Sequence, residues 1–153
     1  MPDWTPTFLP SGFLSGWYKA DAITGLSDGA AVASWSDSSG RGNTLAQSTA
    51  GAQPSYETAE LNSLPIVRFD KDASPGDNLL LADPGGSFEP GTGDFFIALV
   101  VKFVSSGTQF LMAKANSGTQ GLNLFVSGSN LIFRPQTFGV TTNQLNQSSV
   151  VDS

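Results

Sequence analysis

Short apolar runs separated by clusters of Gly, Pro, Asn, Asp and Ser make up most of this chain. Such runs, bounded by turn-forming residues, are typical of β-strands. The best helical window, residues 20–33, is interrupted by Gly25 and Gly29, which disfavour a helix interior. The sequence therefore predicts an all-β protein of antiparallel strands. The predicted strands are residues 16–20, 32–36, 54–58, 65–69, 79–81, 95–103, 109–113, 122–126 and 131–134.

Two stretches carry the clearest strand signals. Residues 95–103 are apolar at almost every position, which predicts a central strand buried on both faces. Residues 122–126 and 131–134 flank Ser-Gly-Ser-Asn and predict a hairpin. Prolines at positions 2, 6 and 10 predict an extended lead-in over residues 1–12. Residues 13–153 are then expected to form one domain.

The amino-acid composition and charge limit the classes of partner that the chain is predicted to bind. The 153 residues include 11 Phe and 3 Trp, enough for a core, while charged residues make up only 13%. That is about half of the usual ~25%. With a net charge of −6 and scattered basic residues, the chain is predicted to bind neither nucleic acid nor an anionic membrane.

Missing residue types exclude several chemistries. The chain has no Cys and no His, so disulfides, thiolate metal sites and His-dependent triads are excluded. The N-terminus lacks the basic and apolar regions of a signal peptide, and no apolar run approaches the ~20 residues of a membrane span. We therefore expect synthesis and folding in the cytoplasm.

Three stretches resemble a known family when taken in order. They are residues 17–29 (WYKADAITGLSDG), residues 32–43 (VASWSDSSGRGN), and residues 53–56 (QPSY) with 61–70 (LNSLPIVRFD). Together they are similar to laminin-G-like domains of phage and bacterial surface proteins, which have the concanavalin A-like jelly-roll fold. The resemblance implies an antiparallel β-sandwich, a non-catalytic role, and attachment to virion or cell-surface proteins. It implies glycan or protein binding only loosely, because a fold does not fix a function.

The chain departs from this family at its C-terminus. Members usually continue with further strands, whereas this sequence stops at Ser153. Either the sandwich is incomplete at the C-terminus, or something else completes it. We expect an open sheet edge near residues 122–138, covered by strand addition from a partner in a homo-oligomer or a larger assembly.

Carboxylates for glycoside hydrolysis are scarce. The only glutamates are Glu57, Glu60 and Glu89, and the first two are three residues apart. On one regular strand they would face opposite sides. The sequence thus predicts no catalytic residues, and a glucanase-like hydrolase is only a remote alternative.

Two other sites are predicted. Asp70, Asp72 and Asp77 lie in a Gly- and Pro-containing loop and form a candidate calcium site, although the pattern does not match an EF-hand. No other cofactor is expected. Tyr18 is expected to point outward and is a candidate ligand-binding residue, whereas its neighbours Trp17 and Trp35 are predicted to be core. Residues 37–43 are interpreted as a structural turn, since they lack the end of a P-loop.

The function expected from these observations is non-enzymatic. The first interpretation is a structural or adhesive component of a phage virion, such as a head decoration, tail or fibre protein. It would lie on the virion surface and contact other virion or surface proteins. The alternative is an extracellular glycan-binding module of a larger secreted bacterial protein.

Overall fold

The computed structural model describes residues 5–10, 12–82, 88, 94–103, 107–115, 121–136 and 145–148. The chain divides into two compact units, residues 1–89 and residues 90–153. Throughout the described ranges the regular elements are antiparallel strands and short 3₁₀ turns, with no α-helix. The predicted all-β class is confirmed. One domain over residues 13–153 stays a prediction.

The first unit contains two small sheets. One has the strand order β1-β4-β5 and the other pairs β2 with β3. The strands are β1 (Ala30–Ala31), β2 (Ser34–Trp35), β3 (Leu45–Ala46), β4 (Ser55–Leu61) and β5 (Leu64–Arg68). Single 3₁₀ turns occur at Pro6–Phe8, Ala20–Ala22 and Ala50–Ala52. The first of these falls inside the lead-in that the sequence predicts to be extended.

The β4–β5 hairpin confirms two predicted strands. Its register pairs Leu61 with Leu64, so Asn62 and Ser63 alone form the turn. Both turn residues have positive φ, 50° and 63°. Two consecutive residues with positive φ are the mark of a type I′ turn, whose twist matches that of antiparallel strands.

The core of the first unit lies where β4 meets the segment before β2. Val32, Ala52, Pro54 and Tyr56 are buried, and Val32 is 0% exposed. The buried amide of Gln47 donates to Asn78 Oδ1 at 2.6 Å, and its Oε1 accepts the Thr49 N–H at 2.9 Å. The one buried polar side chain among the described residues is therefore hydrogen-bonded, as burial requires.

The second unit contains one sheet with the order β6-β7-β8-β9. Its strands are β6 (Thr108–Ala115), β7 (Gly121–Ser127), β8 (Asn130–Gln136) and β9 (Leu145–Ser148). The predicted hairpin is confirmed, because Ser127 pairs with Asn130 across a two-residue turn. Gly128 has a φ of 60° in that turn, where a side chain would be strained.

The prediction of a buried central strand at residues 95–103 is wrong. These residues belong to no strand, and Phe96 and Val100 are 79% and 90% exposed. Apolar content favours burial, but a strand also needs a neighbouring strand that accepts and donates its backbone hydrogen bonds. The sheet of this unit is built from β6 to β9 instead.

The strand predicted at residues 16–20 is also wrong. The Trp17 N–H donates to the Asp37 carboxylate at 2.9 Å instead of to a neighbouring strand. The prediction at residues 79–81 reduces to one bridge between Leu80 and Ala46. At residues 32–36 only Ser34–Trp35 forms a strand.

The open edge expected near residues 122–138 is absent from β7 but remains at the end of β8, where residues 134–136 pair with no described residue of β9. Residues 137–138 lie outside the described residues. β7 pairs with β6 on one side and β8 on the other, and β8 also pairs with β9 at Asn130–Phe133. The outer strands of this sheet are β6 and β9. Leu145–Ser148, which carries little apolar signal, forms the fourth strand and covers part of the expected edge. Strand addition from a partner stays a prediction.

Candidate functional site

The turn at residues 37–43 is organised around one carboxylate. Asp37 Oδ1 accepts the N–H groups of Trp17 at 2.9 Å and Ser39 at 2.8 Å. Asp37 Oδ2 accepts the Ser39 hydroxyl at 2.6 Å and the Asn43 N–H at 3.1 Å. Both oxygens are thus used to hold the turn against the segment that contains Trp17.

The electrostatics of Asp37 agree with this role. Burial by itself would raise the pKa of Asp37, but hydrogen bonds from Ser39, Trp17 and Asn43 outweigh it and hold the pKa below its ordinary value. A carboxylate stabilised in its charged form is a poor proton donor at neutral pH. The interpretation of this segment as a structural turn agrees with these contacts.

Tyr18 is tied to the same turn. Its hydroxyl donates to the Asn43 carbonyl at 2.5 Å, while the Asn43 side-chain amide donates to the Ser15 carbonyl at 2.7 Å. The Tyr18 side chain is half-buried, so it does not point freely outward as the sequence predicts. Its hydroxyl is bonded within the chain because the turn brings the Asn43 carbonyl to it. A ligand-binding role for Tyr18 stays a prediction.

Trp35 lies next to Tyr18. The two rings meet edge to face, with centroids 6.0 Å apart and planes at 65°. The Trp35 indole N–H donates to the Lys19 carbonyl at 2.9 Å, and the Lys19 ammonium lies 4.9 Å from the centroid of Trp17. Trp17 and Trp35, predicted to be core, are both half-buried.

A small cleft is bordered by Trp35. Its volume is about 210 Å³. The remaining lining residues come from the end of the 3₁₀ turn at Ala20–Ala22 and from the ends of β2: Ala22, Ile23, Thr24, Ser34 and Ser36. The sequence predicts Trp35 to be core and does not point to the hydroxyl residues, because only the folded chain brings Thr24 next to β2.

Glu57 and Glu60 face the same cation. Arg68 approaches Glu57 Oε1 at 3.6 Å and Glu60 Oε2 at 3.3 Å. The prediction that the two glutamates face opposite sides is wrong, because β4 has a bulge between Glu57 and Leu61 in which Ala59 has a φ of 58°. Glu89 lies outside the described residues.

The candidate calcium ligands are turned toward their own loop. Asp77 Oδ2 accepts the Asp70 N–H at 2.8 Å, and Asp70 Oδ1 accepts the Asp72 N–H at 2.8 Å. The Asp72 carboxylate pairs with Lys71 at 2.5 Å. Across the described ranges, no three acidic side chains converge as a metal site would need. These contacts within the chain account for the conformation of the loop, and calcium binding stays a prediction.

Apolar side chains are exposed together in the second unit. Between residues 95 and 101, five large apolar residues are at least 46% exposed, namely Phe95, Phe96, Leu99, Val100 and Val101. Phe95 also contacts the Phe133 ring of β8, with centroids 5.7 Å apart. We call residues 95–101 the apolar segment. Single exposed apolar residues are ordinary, but a contiguous group is typical of an interaction surface.

The fold and these contacts define a protein built from antiparallel sheets with structural turns. Comparison with models of known families finds no match, and comparisons with curated proteins and with solved structures also find none. Within the part of the chain that the structure describes, no helix is both long and apolar enough to cross a bilayer.

Proposed function

We propose that this protein is a non-enzymatic structural or adhesive module that works through a surface contact with other proteins. The observation that carries the proposal is the exposed apolar segment. Val100 is 90% exposed and Phe96 is 79% exposed. Covering such side chains removes apolar surface from water, at about 25 cal/mol per Å².

The partner that fits this segment is a second copy of the chain or a neighbouring subunit of a larger assembly. Along the chain, Asp94 precedes the segment and Lys102 follows it, and no charged residue lies between residue 95 and residue 101. Interface centres are depleted of charge in the same way and enriched in aromatic residues.

The finer form of the proposal is a phage virion component with a jelly-roll sandwich, located on the virion surface. Its support is the resemblance of residues 17–70 to laminin-G-like domains of phage and bacterial surface proteins. A head decoration, tail or fibre protein meets many copies of its neighbours. The exposed apolar segment of the second unit could form such repeated contacts.

The non-enzymatic part of the proposal is supported by how the acidic side chains are used. Asp37 accepts hydrogen bonds that build a turn, and Glu57 and Glu60 share Arg68. Glycoside hydrolysis instead needs one carboxyl that gives up a proton and a second that acts across the scissile bond. A glucanase-like activity is the remote alternative.

Assembly is tested by sedimentation velocity over a range of concentrations. We expect the wild-type chain to self-associate and Val100→Lys to weaken that association at least about tenfold, since a buried lysine without a partner opposes contact. Ser129→Lys adds the same charge to the exposed β7–β8 turn and should have no effect. A wild-type chain that stays monomeric at the highest concentration, with both variants equal to it, would contradict the proposal.

A second candidate function is glycan binding, as a module of a secreted bacterial protein. The specific observation that favours it is the cleft beside Trp35, where an aromatic ring and three hydroxyl residues lie together. In this alternative the protein is extracellular and the contact is made by the first unit.

A further inference from the structure

We propose that the cleft beside Trp35 binds a single neutral pyranose ring of a glycan. We call it the Trp35 cleft. The inference rests on the second candidate function, and it adds a location, a ligand size and a ligand charge. It is independent of the apolar segment, which belongs to the other unit.

The first reason is that Trp35 offers only apolar surface. The indole has one donor, and that N–H is already bonded to the Lys19 carbonyl at 2.9 Å. Tyr18 packs edge to face against the same ring at 6.0 Å. Two contacts within the chain thus fix the ring before a ligand arrives, and a fixed aromatic ring can pack against the C–H face of a sugar at little entropic cost.

The second reason is the set of hydroxyl groups. Thr24, Ser34 and Ser36 line the cleft, and none of them makes a side-chain hydrogen bond to another described residue. Each hydroxyl can donate one hydrogen bond and accept two. Three uncommitted hydroxyls beside an apolar ring match a molecule that has hydroxyls at its rim and C–H groups on its face.

The third reason is charge. Each of the lining residues is neutral: Ala22, Ile23, Thr24, Ser34, Trp35 and Ser36. Two carboxylates adjoin lining residues along the chain, Asp21 beside Ala22 and Asp37 beside Ser36, and neither is part of the lining. Asp21 is paired with Lys19 at 3.9 Å, and both oxygens of Asp37 accept hydrogen bonds within the chain. An acidic or basic ligand would find no opposite charge in the cleft, so the ligand is a neutral sugar.

The fourth reason is size. The cleft measures about 210 Å³. Pockets for drug-sized ligands span about 300–1,000 Å³. The Trp35 cleft therefore holds one ring, with the neighbouring units of a glycan outside it. Because the contact area is small, one occupied cleft should bind weakly, and several copies in an assembly would raise the avidity.

The test uses the full chain and soluble hexasaccharides. Maltohexaose, cellohexaose and laminarihexaose serve as neutral probes, and an oligogalacturonate of equal length serves as the acidic probe. Binding is followed by the NMR signal of the Trp35 indole N–H. We expect at least one neutral probe to shift this signal with a millimolar Kd, which corresponds to about 4 kcal/mol, while the acidic probe leaves it unchanged.

The cleft is then filled by substitution. Ala22→Phe places a large side chain at the lining, and Ala50→Phe makes the same change at an exposed alanine of another 3₁₀ turn. We expect Ala22→Phe to weaken binding at least about tenfold and Ala50→Phe to leave it unchanged. Circular dichroism of both variants checks that the fold is kept. Ser36→Ala, with Ser48→Ala as its matched control, tests the hydroxyls without adding bulk.

Three results would overturn the inference: no neutral probe shifts the signal, the acidic probe binds as well, or Ala22→Phe binds as tightly as wild type. None of these results bears on the proposed assembly, because self-association is measured separately, by sedimentation velocity of the wild type and Val100→Lys. Loss of assembly with retained binding, or the reverse, separates the two proposals.

Discussion

At the scale of single residues, Asp37 explains most about the first unit. Its four accepted hydrogen bonds come from Trp17, Asn43 and two groups of Ser39. They join a turn to a segment twenty residues earlier. Hydrogen bonds to a charged group contribute about 1.5–3 kcal/mol each, more than those between neutral groups. One side chain thus replaces the strand pairing that Trp17 lacks.

Asp37→Asn should lower stability in a pH-dependent way. The pKa of Asp37 is depressed in the folded chain, so its stabilisation is present above the ordinary pKa of 3.8 and is lost as pH falls through the lowered value. We expect the variant to lose about 1–3 kcal/mol of unfolding free energy at neutral pH and much less in strong acid. Urea unfolding followed by tryptophan fluorescence measures both.

The matched control is Asp21→Asn. Asp21 has an exposed side chain whose partner, Lys19, is 3.9 Å away. An exposed ion pair contributes about 0–1 kcal/mol, so this variant should stay close to wild type at every pH. An Asp37→Asn loss that is equal at neutral and acidic pH would show that shape, not charge, is what the turn needs.

At the scale of elements, the β4–β5 hairpin shows how local backbone geometry redirects side chains. The bulge at Ala59 turns Glu60 toward the same side as Glu57, and Arg68 contacts both. Since Arg68 is about half exposed, these pairs contribute little to stability. The register of the hairpin instead depends on its two-residue turn.

Ser63→Gly should stabilise the hairpin. Ser63 has a φ of 63°, a conformation that costs an L-residue about 1–2 kcal/mol and a glycine almost nothing. Asn-Gly is also the favoured pair for a type I′ turn. After the entropic cost of glycine, we expect a gain of about 0.5–1 kcal/mol in unfolding free energy, measured by urea denaturation.

Ser48→Gly is the control for that substitution. Ser48 is exposed and is not among the residues with positive φ. Ser48→Gly should therefore lower the unfolding free energy of the protein by about a few tenths of a kcal/mol, through the added entropy of the unfolded chain alone. A loss of stability for Ser63→Gly would mean that the serine side chain makes a contact that outweighs the backbone strain.

At the scale of the whole molecule, the chain contains both deeply buried and widely exposed apolar residues. Val32 is 0% exposed, whereas Val100 is 90% exposed. The first contributes to the core of its unit, and the second belongs to the surface that we propose as an interface. The same substitution at the two positions therefore separates folding from assembly.

Val32→Ala should cost about 1.5–3 kcal/mol of unfolding free energy, because it removes buried methyl groups and leaves a cavity. Val100→Ala should leave the unfolding free energy of the monomer unchanged to within about 0.5 kcal/mol. Thermal and urea unfolding at low protein concentration measure both. Equal losses at the two sites would place Val100 in a core and remove the support for an exposed apolar segment.

Features that depend on neighbours along the chain could be predicted from the amino-acid sequence alone. Short apolar runs bounded by turn-forming residues predicted the all-β class, the β4 and β5 strands and the β7–β8 hairpin. The strands of each hairpin lie within a few residues of the turn that joins them. In the β7–β8 hairpin this turn contains Gly128. The role of residues 37–43 as a structural turn could also be predicted, because Asp and Asn side chains form hydrogen bonds to nearby backbone groups in turns.

Strand pairing and side-chain contacts between distant segments depend on the folded chain. Residues 95–103 had the strongest apolar signal but form no strand, while the polar Leu145–Ser148 does, because pairing needs a neighbour that periodicity does not specify. Thr24 and Trp35 line one cleft only because the chain returns on itself between them. Such contacts join residues that are far apart in the sequence. The pattern of apolar and polar residues along the chain carries little information about which of them come close in space.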